Sequence, residues 1–171
     1  MIPDGVYAGY VLNQVQNSGK ARIRGVEVSY RQQYVFLPGF WGGLGAFASF
    51  NYQQAEGTFA TTTFQQRLGG LAPRNANAGV SYVKHGLDVR LLANYLGKTY
   101  QSGAGVQSIY TEERLLLDFK GGYQINRTYS LFLDVINLTD EPARAWVLEN
   151  NLKLYNAKQG IGFSAGIKAR F

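Results

Sequence analysis

Residues Gly160–Phe171 read GIGFSAGIKARF, and this stretch decides the fold. Phe163, Ala165, Ile167, Ala169 and Phe171 share one parity, while Gly162, Ser164, Gly166, Lys168 and Arg170 share the other. A two-residue period places one set on each side of a β-strand, so the chain ends on a strand with an apolar and a polar face. A frayed terminus has no use for this pattern.

The same period recurs upstream. In residues 22–36, Val26, Val28, Tyr30, Tyr34 and Phe36 oppose Glu27, Ser29, Arg31 and Gln33. Leu44, Ala46, Ala48, Phe50 and Tyr52 oppose Ser49, Asn51 and Gln53. Ala76, Ala78, Val80 and Tyr82 oppose Asn75, Asn77 and Ser81, and Leu87, Val89, Leu91, Ala93 and Tyr95 oppose Asp88, Arg90 and Asn94. Leu115, Leu117, Phe119, Tyr123 and Ile125 oppose Asp118, Lys120 and Gln124, and Tyr129, Leu131, Leu133 and Val135 oppose Ser130 and Asp134. With a weaker run near Tyr7–Gln16, about eight strands are expected. The uncharged window from Gln32 to Ala55 is long enough for a membrane helix. It is broken by Pro38, Gly39, Gly42, Gly43 and Gly45 and therefore reads as a hairpin.

Connection lengths alternate. Residues 37–40, 84–87 and 125–128 are tight turns, whereas 58–73, 101–112 and 140–159 are long polar stretches; 17–20 is short. Short turns at one end and long loops at the other are the pattern of an outer-membrane β-barrel. Tyr34, Phe36, Phe40, Trp41, Tyr82, Tyr123, Tyr129 and Phe171 gather near the short-turn ends, where an interfacial aromatic girdle belongs. Short turns face the periplasm in such barrels, so the last strand runs downward and Phe171 lies at the periplasmic rim.

Composition agrees. The chain has 171 residues, 46% hydrophobic, with 21 Gly and a slightly negative mean hydropathy, the balance expected of alternating strands. Absence of Cys excludes disulfides and thiolate metal sites. The net charge of +6 comes from scattered Lys and Arg rather than a binding stripe, so nucleic acid is not an expected partner. Met1–Gly5 has neither the basic start nor the apolar run of a secretion signal.

The segment YSLFLDVINLTDEPARAW (129–146), followed by the terminal strand, resembles the C-terminus of TonB-dependent outer-membrane receptors. That family carries an NLTDEP-like corner after the penultimate strand and then a last strand ending in Phe. NSGKARIRGVEVSY (17–30) is similar to a mid-barrel strand of the same family. The resemblance implies an all-β, antiparallel transmembrane barrel segment of about eight strands. It would be the last third of a 22-stranded barrel, spanning residues 1–171 with the plug domain absent. It further implies a Gram-negative outer-membrane location and energy-coupled uptake of a small molecule such as a carbohydrate or siderophore. The implied partners are membrane lipid, TonB through a missing N-terminal part, and the barrel-assembly machinery. Phe163, Ala165, Ile167, Ala169 and Phe171 would carry the assembly signal. Two alternatives stay open: a stand-alone eight-stranded structural barrel and, more distantly, a soluble basic β-protein that binds nucleic acid.

No catalytic set is legible. His85, the single histidine, falls in a turn with no acid–nucleophile pair around it, so no enzymatic activity is expected. Asp140 and Glu141 are too few for a metal site, and no cofactor is expected. Asn-x-Thr at 126–128 and 137–139 matches a glycosylation pattern by chance. For ligand contact the candidates are the loop aromatics Phe64, Tyr110, Trp146 and Tyr155, which could stack on a sugar or another ring.

Overall fold

The computed structural model describes residues 5–6, 9, 11, 19–59, 66–102, 107–147 and 152–170. Seven alternating runs become strands: β1 (Gly19–Gln33), β2 (Leu44–Phe59), β4 (Arg74–Lys84), β5 (Leu87–Leu96), β8 (Arg114–Gln124), β9 (Tyr129–Ile136) and β12 (Gly162–Ala169). These pair in the order β1-β2-β4-β5-β8-β9-β12, with the two-residue β3 (Gln66–Arg67) beside β2. Every pairing is antiparallel. The expected strand at Tyr7–Gln16 lies almost wholly outside the described residues. No helix among the described residues is long and apolar enough to cross a membrane. The Gln32–Ala55 window is the β1–β2 hairpin, closed by a 3-10 turn at Gly39–Gly43.

The register joins like to like across the sheet. Val28 faces Phe50, Phe50 faces Ala76, and Ala76 faces Tyr95; Leu91 faces Phe119, Phe119 faces Val135, and Val135 faces Phe163. On the other face Asn51 meets Asn75, Arg90 meets Lys120, Lys120 meets Asp134, and Asp134 meets Ser164. One continuous apolar face and one mixed polar face result.

Among the described residues nothing covers that apolar face. Val28 is 61% exposed, Ile167 68% and Phe163 80%, while Ala72 and Ala145 are the only buried apolar side chains among the described residues. A soluble β-protein would pack this face on a second layer. An uncovered apolar sheet of this extent calls for lipid as its solvent.

The polar face is not uniformly polar. Phe47 lies across Gly79 of the neighbouring strand, where an added Cβ would come within 2.5 Å of its ring. Phe132 lies across Gly166, where a Cβ would come within 2.8 Å. Lys168 caps the same ring, its Nζ 4.6 Å from the centroid.

Two of the short turns show why their residues are there. His85 and Gly86 have φ of 53° and 80°, the pair of positive values that a two-residue type I′ hairpin needs. Asn126 Oδ1 accepts the backbone N–H groups of Thr128 and Tyr129 at 2.9 Å each, closing the 125–128 turn. Phe40 stacks on Tyr82 at 4.6 Å and meets Trp41 edge-on, so aromatics do gather at this end.

The long stretches differ from the expectation of plain loops. They contain β6 (Thr99–Ser102), β7 (Ile109–Thr111), β10 (Ala143–Val147) and β11 (Leu152–Ala157), which form a second sheet in the order β11-β10-β7-β6. The order mirrors the strands they adjoin, since β6 follows β5, β7 precedes β8, β10 follows β9 and β11 precedes β12. These strands are three to six residues long. Their backbone groups find partners between loops, a pairing that short runs do not announce by alternation.

Candidate functional site

The break between the two sheets is built by residues 137–142. Asn137 is 5% exposed and sits in the left-handed region at φ 58°, a conformation that asparagine tolerates better than other side-chain-bearing residues. Its Nδ2 donates to the carbonyls of Glu141 (3.3 Å) and Gly160 (3.2 Å), and its Oδ1 accepts the Glu141 N–H at 2.8 Å. Its own N–H donates to Asp118 Oδ1 at 2.9 Å, and Asn94 Nδ2 reaches Asp118 Oδ2 at 3.4 Å. Two side chains therefore share the corner: Asp118 links Asn94 of β5 to the chain leaving β9, and Asn137 links that chain to Glu141 and to Gly160 just before β12.

The carboxylates of this corner are engaged. Arg144 Nη1 lies 3.1 Å from Glu141 and 3.4 Å from Glu112, and Lys158 Nζ lies 3.1 Å from Asp140. Asp140, at φ 51°, thus continues the turn that Asn137 begins. Both acids brace the corner.

Above the corner the second sheet separates two cavities. The one on the polar-face side measures about 570 Å³ and is lined by Gln53, Asn75, Thr99, Arg114, Arg144 and Tyr155 among others. Asn75 Oδ1 and the neighbouring Asn51 Oδ1 are buried acceptors with no hydrogen-bond partner among the described residues. The cavity on the apolar-face side measures about 550 Å³, and Tyr52, Arg74, Tyr95, Lys98, Tyr100 and Tyr110 contribute to it. There Tyr110 stacks on Trp146 (5.4 Å, 26°) and meets Tyr100 at 5.6 Å. Lys98 Nζ stands 3.7 Å from the Trp146 ring centroid and 4.6 Å from that of Tyr110, within cation–π range. Tyr95 Oη donates to Glu113 at 2.8 Å.

The four aromatic candidates therefore separate. Tyr110 and Trp146, 36 positions apart, become cross-strand neighbours on the apolar-face side. Tyr155 pairs with Ala145 and lines the polar-face cavity. Phe64 lies outside the described residues. Sequence reading missed Lys98, Tyr100, Arg114 and Arg144; the spacing of Tyr95, Lys98 and Tyr100 in YLGKTY was the available signal. On β12, Phe163, Ala165, Ile167 and Ala169 share the apolar face opposite Val135, Leu133, Leu131 and Tyr129. Phe171 lies outside the described residues. His85 occupies its hairpin turn.

An antiparallel wall with lipid-seeking residues on one face, polar residues on the other, tight turns below and structured loops above is the wall of a membrane β-barrel. A family model described as TonB dependent receptor-like, beta-barrel matches residues 2–138, and the chain belongs to that family, which is one of outer-membrane receptors. Among solved structures the chain is similar to the ferric-catecholate import receptor Fiu from E. coli K12, at 19% identity and a TM-score of 0.62. The match covers 88% of this chain and 21% of that receptor. At this identity the likeness speaks for the fold. Comparison with curated proteins finds no match.

Proposed function

We propose that this chain forms the C-terminal part of the barrel of a TonB-dependent outer-membrane receptor, which imports a scarce nutrient using energy delivered through TonB. The family membership carries this reading. The open sheet supports the larger barrel. Among the described residues its path ends at β1 and β12, which do not pair with each other, and unpaired edges are not tolerated in lipid. The remaining strands, a plug and the TonB-contacting segment belong to other parts of such a receptor. The long-loop end faces outside the cell, and the polar face lines the lumen.

The lumen-side cavity suits a polar solute. Its amides, Arg114 and the ring of Tyr155 offer donors, charge and a stacking surface for a carbohydrate or an anionic chelate. Tyr110 and Trp146 stand across the wall from that path. Recognition of the terminal strand by the barrel-assembly machinery completes the reading. No part of it requires catalysis.

The test is energy-dependent uptake by cells carrying the full-length gene, a deletion, or an Arg114→Ala and Tyr155→Ala pair. Labelled ferric chelates and oligosaccharides are offered in cells with and without TonB. Loss of one uptake activity in the deletion and in cells lacking TonB is expected. Uptake that survives without TonB overturns the coupled-import reading. A purified 1–171 chain that behaves as a protease-resistant, heat-modifiable monomer in detergent would overturn the partial-barrel reading in favour of a small closed barrel.

A further inference from the structure

Most of the polar groups around the polar-face cavity are already engaged. Arg144 Nη1 stands between Glu141 at 3.1 Å and Glu112 at 3.4 Å, so neither its charge nor theirs is free. Thr99 Oγ1 donates to the Gly97 carbonyl at 2.9 Å, and Thr111 Oγ1 donates to the Thr99 carbonyl at 3.4 Å. Gln101 Nε2 donates to Thr111 Oγ1 at 3.3 Å and leaves its own Oε1 open. Arg114 is different. It lines the same cavity and makes no ion pair among the described residues. What the cavity can offer a guest is therefore one guanidinium, the amides of Asn75 and Gln101, and the ring and hydroxyl of Tyr155.

We infer that this cavity is a subsite for an acidic sugar: Arg114 holds the carboxylate of a uronate-type unit, while Asn75, Gln101 and Tyr155 take its hydroxyls and one ring face. The inference deepens the import reading and rests on it. Charge decides between the two solute classes that reading leaves open. A single uncommitted guanidinium matches a single carboxylate, and its planar fork presents two parallel N–H groups at the spacing of the two carboxylate oxygens. A multiply anionic ferric chelate would meet that one free cation and, in the same lining, the carboxylate of Glu112. Its remaining charge would be enclosed without compensation. A neutral sugar would cover Arg114 and leave the guanidinium without a partner, which is costly for the same reason. The remaining groups suit a polyol. Amides both donate and accept, so they can serve hydroxyls in either sense. Tyr155 is 47% exposed and offers a flat apolar surface with a polar tip. The volume of about 570 Å³ lies within the ~300–1,000 Å³ range of small-molecule sites, which admits a short oligosaccharide and excludes a folded partner.

The full-length receptor, purified in neutral detergent micelles, is titrated calorimetrically with a galacturonate trimer. The methyl ester of that trimer, sodium acetate and a ferric tris-catecholate are titrated in parallel. The acid trimer is expected to bind, and esterification to weaken it about 10- to 100-fold, the span of a charge-assisted hydrogen-bonded pair. Arg114→Gln should weaken the acid by the same factor and leave the ester unchanged, so that the variant no longer tells the two apart. Lys120→Gln, elsewhere on the polar face, should keep the wild-type preference. Each variant is first checked for a heat-modifiable band; if Arg114→Gln does not fold, the comparison of acid and ester on the wild-type receptor still decides. Equal binding of acid and ester, or an Arg114→Gln variant that still prefers the acid, overturns the assignment. Tighter binding of the ferric chelate than of the acid trimer overturns the sugar class in favour of a chelate. Displacement of the trimer by millimolar acetate overturns the sugar contacts and leaves a bare carboxylate site. Loss of the acid preference with TonB-dependent uptake intact refutes this subsite alone, whereas uptake that persists without TonB refutes the receptor reading.

Discussion

Replacing Asn137 tests whether one side chain holds the corner between wall and upper sheet. Asn137→Ala removes two donated bonds, to the Glu141 and Gly160 carbonyls, and one accepted bond, from the Glu141 N–H. At about 1 kcal/mol net for each, the hydrogen-bond loss is about 3 kcal/mol. Alanine must also hold φ 58°, which adds about 1 kcal/mol. The expected loss is therefore about 4 kcal/mol. Asn137→Gly keeps the conformational freedom and should lose about 3 kcal/mol, so the difference between the two variants isolates the backbone term. Asn137→Asp keeps the acceptor for Glu141 N–H but turns a carboxylate toward two carbonyls and the neighbouring Asp118, so it should be no better than alanine. The measurement is urea-dependent unfolding of the full-length receptor in lipid vesicles, followed by tryptophan fluorescence and by the heat-modifiable band. An alanine variant within about 1 kcal/mol of wild type would refute the keystone role, and equal alanine and glycine values would refute the backbone share of it.

Three further outcomes are expected. Arg at Val28, Leu91 or Leu133 should cost about 2–4 kcal/mol in lipid, and the same change at Ser29, Asn94 or Ser130 much less, measured by folding yield into vesicles; equal sensitivity of the two sets would invert or erase the assigned faces. Gly166→Val should lower stability by about 1–3 kcal/mol because its Cβ meets the Phe132 ring, with part of the loss recovered in the Gly166→Val, Phe132→Leu double variant. Phe171→Asp in the full-length protein should reduce outer-membrane levels in cells more than it reduces folding of purified protein into detergent; normal levels in cells would remove the targeting role.

The wall was legible because lipid on one side and water on the other impose a strict period on each long strand, from Val26–Tyr30 to Phe163–Ala169. Lengths were less legible: β1 and β2 run past their alternating parts, to Gly19 and Phe59, since beyond the membrane nothing enforces the period. The upper sheet was hidden for a related reason. Strands such as Ile109–Thr111 are too short to show a period, and their partners come from other loops. Tyr110 and Trp146 were singled out separately as loop aromatics; their stacking depends on the β7–β10 pairing. Asn137 was visible only inside a motif, because burial and a left-handed backbone leave no mark on composition.

The two phenylalanine–glycine contacts on the polar face carry a consequence for strand matching. Alternation is degenerate: a strand displaced by two positions presents the same faces and loses no apolar pairing. Phe47 against Gly79 lifts that degeneracy, because a displacement of two in either direction brings Asn77 or Ser81 beneath the ring. Phe132 acts likewise, since Ser164 or Lys168 would replace Gly166. Each ring is thus a key admitted at one glycine notch. The choice among otherwise equivalent alignments is made at β2–β4 and at β9–β12, one near each end of the sheet.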